Sequence, residues 1–133
     1  MNRSVSLQKR ALSITFWEHL LSLRAQCKDR RIRTVIDLLF ASDLKQEFQT
    51  EMVCKKVNLS ASRLLHLFHE EFGCSPSQAL KLRRLHKARE LLVTTFLTVS
   101  EVMAAVGLRD RSHFTRDFKL LYGTPPSRVR MKE

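Results

Sequence analysis

Glycine and proline are scarce in this chain, with three of each among 133 residues. A β-rich architecture needs far more turn residues than that, whereas long helices meet few interruptions. The expectation is therefore an all-helical fold. Cysteine is scarce as well: Cys27, Cys54 and Cys74 are odd in number and include no C-x-x-C pair. This argues against a disulfide framework or a cysteine-built zinc site, and fits reduced, inert thiols in a cytoplasmic protein. No stretch approaches the ~20 uninterrupted apolar residues of a membrane span. Near the N-terminus Glu18 and His19 interrupt the apolar run, so no secretory signal is expected. Acidic residues are also short, 13 against 24 Lys and Arg, which leaves a net charge of +11. Such an excess favours a polyanion, nucleic acid first and an acidic membrane surface second. A basic protein whose charge only keeps it soluble is the plainer alternative.

What is present is enough apolar material for a core, and a repeat. Hydrophobic residues make up 44% of the chain, which suits one ordinary domain or two very small ones. Displacing the sequence by fifty positions sets Ser62, Phe68, Gly73, Pro76 and Ser77 on Ser112, Phe118, Gly123, Pro126 and Ser127. Glu51 then falls on Glu101, Phe72 on Tyr122 and Leu64 on Phe114. Most of these residues have a structural task. Ser60 and Asp110 suit the N-cap of a helix, and Thr98 with Glu101 forms a capping box. Gly73 and Gly123 follow an aromatic residue and suit a helix stop, after which Pro76 and Pro126 suit a helix start. Asn58 and Gly107, one place out of register, are the types that tolerate a tight inter-helix turn. The unit is a short helix, a turn, a longer helix and a stop, which is a helix-turn-helix.

The elements follow from this punctuation. Amphipathic helices are expected over ~5–28 and ~30–45, then hairpins over ~49–57 with ~61–72 and ~99–106 with ~111–122. A long helix over ~76–95 links them, and a short one starts at Pro125 or Pro126. The domain organisation expected is a 1–29 N-terminal extension, a first helix-turn-helix subdomain over 30–74, a linking helix over 75–96 and a second subdomain over 97–133.

The segment "VMAAVGLRDRSHFTRDFKLLYGTPPSRVR" resembles the signature of the AraC/XylS family of transcription regulators, through Val106, Gly107, Ser112, Phe114, Arg116, Phe118, Lys119, Gly123 and Pro126. Upstream, "LSASRLLHLFHEEFGCSPSQALKLRRLHKARELL" is similar to that family's first recognition helix and connecting helix. The likeness covers about residues 30 to 131. It implies two helix-turn-helix subdomains held rigidly by the linking helix. It also implies a sequence-specific, double-stranded DNA-binding regulator, in most such cases an activator, with RNA polymerase as protein partner. His113 stands where an aromatic is common, Val129 where a Tyr precedes Arg130, and Asn58 near a frequent glycine; these departures bear on local packing. Nothing here is long enough for the effector domain many members carry.

In a helix-turn-helix the second helix enters the major groove. With Phe114, Phe118 and Leu121 inward, Arg111, Ser112, Thr115, Arg116 and Lys119 share the outward face. Arg116 first and Arg111 second are the candidates for gripping guanine, Ser112 and Thr115 are adaptable short contacts, and Lys119 is placed for a phosphate. Fifty residues earlier the face carries Ser62, Leu65 and His66 with Arg63 on its flank. Leu65 is a candidate for a thymine methyl, or else tucks against the linking helix, and His66 suits a base edge or a phosphate. Arg83, Arg84 and Lys87, with Arg89, are placed along the DNA backbone, plain hydration being the alternative. The linking helix would span about 30 Å against the ~34 Å between successive major-groove faces.

Other signals are weaker. His66, His69 and Glu70 have a spacing that suits a metal but lack a fourth ligand, and no phosphate loop or catalytic constellation is present. No metal, cofactor or enzymatic activity is expected. The apolar stripe Leu12, Phe16, Leu20, Leu23 and Cys27, with Trp17 beside it, covers the chain's own core, makes residues 5–28 a dimerisation helix, or is a stub of an effector domain. The rival function is a helical protein-interaction adaptor that uses this stripe, its basic face being incidental.

Overall fold

The computed structural model describes residues 15–41 and 43–129, with the backbone alone at 15–17. The described residues are helical with no strand. In chain order the helices are α1 Thr15–Gln26, α2 Arg30–Ala41, α3 Thr50–Val57, α4 Ala61–Phe72, α5 Pro76–Thr94, α6 Val99–Val106, α7 Arg111–Tyr122 and α8 Pro126–Val129. The expected start of the first helix near residue 5, Leu12, and the side chains of Phe16 and Trp17 lie outside the described residues. No described helix is long and apolar enough to cross a membrane.

The repeat survives in three dimensions because its punctuation is local. The Arg63 N–H donates to the Ser60 side chain at the head of α4, and the His113 N–H to Asp110 at the head of α7. Both helices are 12 residues long and end on a left-handed glycine, Gly73 at φ 73° and Gly123 at φ 75°. Their partners α3 and α6 are each 8 residues and end on Asn58 at φ 56° and Gly107 at φ 78°. The one-place slip is absorbed by the turns, since Asn58 to Ser60 is one residue shorter than Gly107 to Asp110. The expected capping box of Thr98 and Glu101 is present. A second one, Ser75 with Gln78 ahead of Pro76, starts the linking helix and was readable in the same S-x-x-Q pattern.

The linking helix α5 is a member of both halves. It packs against α2 on one side and against α6 and α8 on the other. Its buried set is accordingly broad: Ala79, Leu80, Leu82, Leu85, Ala88 and Leu92. The first half seats Leu64, Phe68 and Phe72 of α4 with Ile32, Val35, Ile36 and Leu39 of α2; the second seats Phe114, Phe118 and Leu121 of α7 with Val102 and Val106 of α6. One continuous core results. Burying a Phe or Leu side chain contributes about 1.5–3 kcal/mol, so each apolar stripe outweighs any single surface charge pair.

Two expectations about the N-terminal part meet different outcomes. Leu20 of α1 and Cys27 just after it are buried in the chain's own core, Leu23 packs against it, and Arg24 pairs with Asp37 of α2 and sits over the Phe40 ring. The described part of the stripe is thus spent on self-packing. Helix α2 stops at Ala41, not near residue 45. The Asp43 carboxylate accepts the Lys45 N–H, turning the chain, and the Leu44 and Gln46 carbonyls accept from Arg84 of α5. Carbonyls drawn onto a distant guanidinium are not available to a helical ladder. The three cysteines are free; Cys27 and Cys74 are buried, and burial pushes the Cys74 thiol up to about 12, which keeps it protonated and unreactive.

Candidate nucleic-acid interface

On α7 the sequence separates two faces cleanly. Phe114, Phe118 and Leu121 are buried, with Phe118 between Phe114 and Tyr122 at ring separations of 5.6 and 4.7 Å. Arg111, Ser112, Arg116 and Lys119 are exposed and Thr115 is half-buried. The side chain of Tyr122 lies at the edge of the stripe, with its ring against His86 and under Arg89 of α5. Burial pushes its hydroxyl up to about 12.

The buried face carries one residue that the sequence reading missed. Asp117 is only 5% exposed, and Lys81 of α5 reaches it at 2.7 Å. The signal was present, since an acid at 117 falls within the stripe formed by 114, 118 and 121 and needs a partner there. Arg116 lies 3.9 Å from the same carboxylate but stays largely exposed. Lys81 neutralises Asp117 and so leaves the Arg116 guanidinium to solvent. Replacing Lys81 by Met strands a buried carboxylate. Because Lys81 is half-exposed, the cost expected in denaturant unfolding is about 1–2 kcal/mol, below that of a fully buried pair. The double variant Lys81→Met/Asp117→Leu is expected to recover most of it.

Helix α4 presents Ser62, Arg63, Leu65 and His66 outward. Leu65 is 43% exposed, one of the large apolar side chains left open at the surface. His66 pairs with Glu70 at 2.9 Å, one turn on along the same helix. The first face is thus less basic than the second, as its composition anticipates. His113, one of the departures from the family pattern, is exposed and pairs with Asp110 at 2.9 Å, and Val129 is buried in the core.

The linking-helix cations correct an expectation. Arg84 is 8% exposed and donates from Nε to the Leu44 carbonyl and from Nη2 to the Gln46 carbonyl, both at 2.7 Å. It therefore does not line a DNA backbone; it ties α5 to the loop between α2 and α3. Arg83 is half-buried and its Nη1 donates to the Leu39 carbonyl at 2.7 Å, so the fold uses part of this guanidinium as well. Arg89 covers Tyr122, and Lys87 alone of the four is held only by a surface partner, Glu90 at 3.1 Å. A charge run on a helix between two subdomains is drawn inward because both flanks offer carbonyls and rings.

Arg111 turns back over the head of α6, where its Nη1 donates to Ser100 Oγ at 3.1 Å. It leaves Arg116 as the exposed guanidinium on the middle of α7.

Known proteins share this arrangement. A model of the helix-turn-helix domain family matches residues 53–132, more than half of the chain. The arabinose operon regulatory protein of Escherichia coli K12 is 32% identical over 127 residues, covering 90% of this chain and 44% of that protein. The lactose operon transcription activator of Staphylococcus xylosus is 28% identical over 99 residues, covering 74% and 35%. The chain therefore spans less than half the length of these relatives. Among solved structures, the C-terminal domain of AraT, a response regulator from Geobacillus stearothermophilus, matches with a TM-score of 0.69 at 26% identity, over 79% of this chain and 87% of that one. The DNA-binding domain of AdpA, solved in complex with a target DNA, matches in fold with a TM-score of 0.67 at 24% identity, over 78% and 93%. Two capped hairpins on one linking helix, and a family match along most of their length, lead to one conclusion: this chain belongs to the AraC-type helix-turn-helix family of transcription regulators.

Proposed function

We propose that the chain is a sequence-specific, double-stranded DNA-binding transcription regulator that lays α4 and α7 into successive major grooves. The observation that carries this reading is the outward edge of α7, where Arg111, Ser112, Arg116 and Lys119 are exposed while the acid of that helix, Asp117, is buried and neutralised. The 19 residues of α5 span about 28 Å, near the ~34 Å between grooves on one side of the duplex. Residues 30–74 and 97–133 would be the reading subdomains and 75–96 the link. Arg116, Ser112 and Thr115 then contact base edges in one groove and Ser62, Arg63, Leu65 and His66 in the other, with Leu65 suited to a thymine methyl. Lys119 and Lys87 meet phosphates. By relation to regulators of sugar operons, one of them named as an activator, regulation is activating. RNA polymerase is then the protein partner, since an activator acts through it. The proposed place of action is the cytoplasm, at the nucleoid. Leu20 and Cys27 are already buried within the chain, which argues against pairing of two chains through residues 5–28.

The test is a mobility-shift competition, first with random duplex and then with sites selected from a random library. A protein-interaction adaptor shows no preference among duplexes, and that result ends the proposal. Arg116→Ala is expected to lose about 1–3 kcal/mol of discrimination at one base pair, with the fold unchanged. A uniform loss over all sequences would reassign Arg116 to the backbone.

A further inference from the structure

A cleft of about 530 Å³ opens where the two subdomains meet, and no carboxylate lines it. Lys45 enters from the loop between α2 and α3, Arg109 from the turn of the second hairpin, and Arg111 from the head of α7. Of the acids nearby, Asp110 pairs with His113, Glu101 accepts the Thr98 N–H, and Asp43 accepts the Lys45 N–H at the edge of the cleft. Three exposed cations around one hollow give it a positive potential that favours an anion there. The floor between them is apolar, with Met103, Ala104 and Leu108.

Position narrows what that anion is. The cleft exists only because the subdomains are docked. Arg84 ties the Leu44–Gln46 loop to α5, and Gly107 lies directly against Leu44 and Lys45. Arg109 is the residue by which the second turn exceeds the first, since Leu59 and Leu108 both pack on the core and Ser60 and Asp110 are both caps. Ser100 Oγ accepts from Arg111 and keeps its own proton to donate.

From these observations, and resting on the duplex-binding reading above, we infer that the cleft holds a phosphodiester of the DNA strand crossing between the two grooves. Lys45, Arg109 and Arg111 neutralise the phosphate, Ser100 donates to one of its oxygens, and the apolar floor takes the deoxyribose. A bare inorganic anion has no use for that floor. The contact carries no base information; it fixes the register of the two recognition helices on the duplex.

The experiment is a salt titration of duplex affinity for the wild type, Lys45→Gln, Arg109→Gln and, outside the cleft, Lys28→Gln, each checked for wild-type melting. Each cleft variant is expected to reduce the slope of log Kd against log salt by about one, on selected and random duplex alike. Lys28→Gln keeps the wild-type slope. If wild type binds duplex and the cleft variants keep its slope, the phosphate site is wrong while the regulator reading stands. If wild type binds no duplex, both fall. Inorganic phosphate added without DNA provides the other arm. Should it raise the melting temperature of wild type but not of Lys45→Gln, with equal salt slopes, the cleft takes a free anion and the inference is overturned.

Discussion

Gly107→Ala is expected to undock the two subdomains and to lower stability by roughly 3–5 kcal/mol, a melting midpoint down by roughly 10 °C or more. The residue is held at φ 78°, where any L side chain carries strain. A Cβ there would stand 2.5 Å from the Leu44 carbonyl oxygen and 2.7 Å from the Lys45 Cα. Those are backbone atoms, and the Leu44 carbonyl is itself held by Arg84, so neither can swing aside as a flexible side chain would. Gly123 supplies the control: its φ is 75°, yet nothing lies within 4 Å of an added Cβ. Gly123→Ala is expected to cost only the conformational strain, about 1 kcal/mol. Chemical unfolding of both variants checks the comparison. Equal losses would mean that φ alone matters at Gly107 and that the contact with the Leu44–Lys45 loop is incidental.

Arg84→Met is the second large effect. Methionine keeps much of the length and apolar stem, but leaves the Leu44 and Gln46 carbonyls without their 2.7 Å donors. Each hydrogen bond from a charged donor contributes about 1.5–3 kcal/mol, and at 8% exposure water does not replace it well. The loss expected is roughly 3–5 kcal/mol. Arg84→Lys retains the charge but not the fork that reaches two carbonyls at once, so an intermediate loss is expected. Trypsin offers a local reading, because release of the loop exposes the bond after Lys45; cleavage there is expected to accelerate in Arg84→Met. Unchanged cleavage with reduced stability would place the effect elsewhere in α5.

Much of the fold was legible because its signals act over a single helical turn. Ser60 and Asp110 cap through a hydrogen bond to a residue three places on, as Thr98 does with Glu101. Gly73 and Gly123 end their helices on their own backbone. Periodicity then placed Phe114, Phe118 and Leu121 inward and Arg116 and Lys119 outward on α7, as observed. The errors share a feature. Helix α2 ends early, and Arg84 is buried, because their partners lie 38 and 40 residues apart in the chain. Asp117 was overlooked for the same reason, its partner Lys81 being on another helix. An apolar side chain has one favourable place, whereas a guanidinium is satisfied equally by water, by a phosphate or by a carbonyl.

By itself, the sequence determined the helices, their stops, the duplication and the polar edge of each second helix, all through hydrogen bonds and burial patterns that span no more than a few residues. Tertiary structure alone decided which cations remain for a partner. Docking drew Arg84 and part of Arg83 onto carbonyls of the first half and set Arg89 over Tyr122, while it brought Lys45 beside Arg109 and Arg111. The reason is that a charge is assigned by its surroundings, and those come from segments that the linear order keeps far apart.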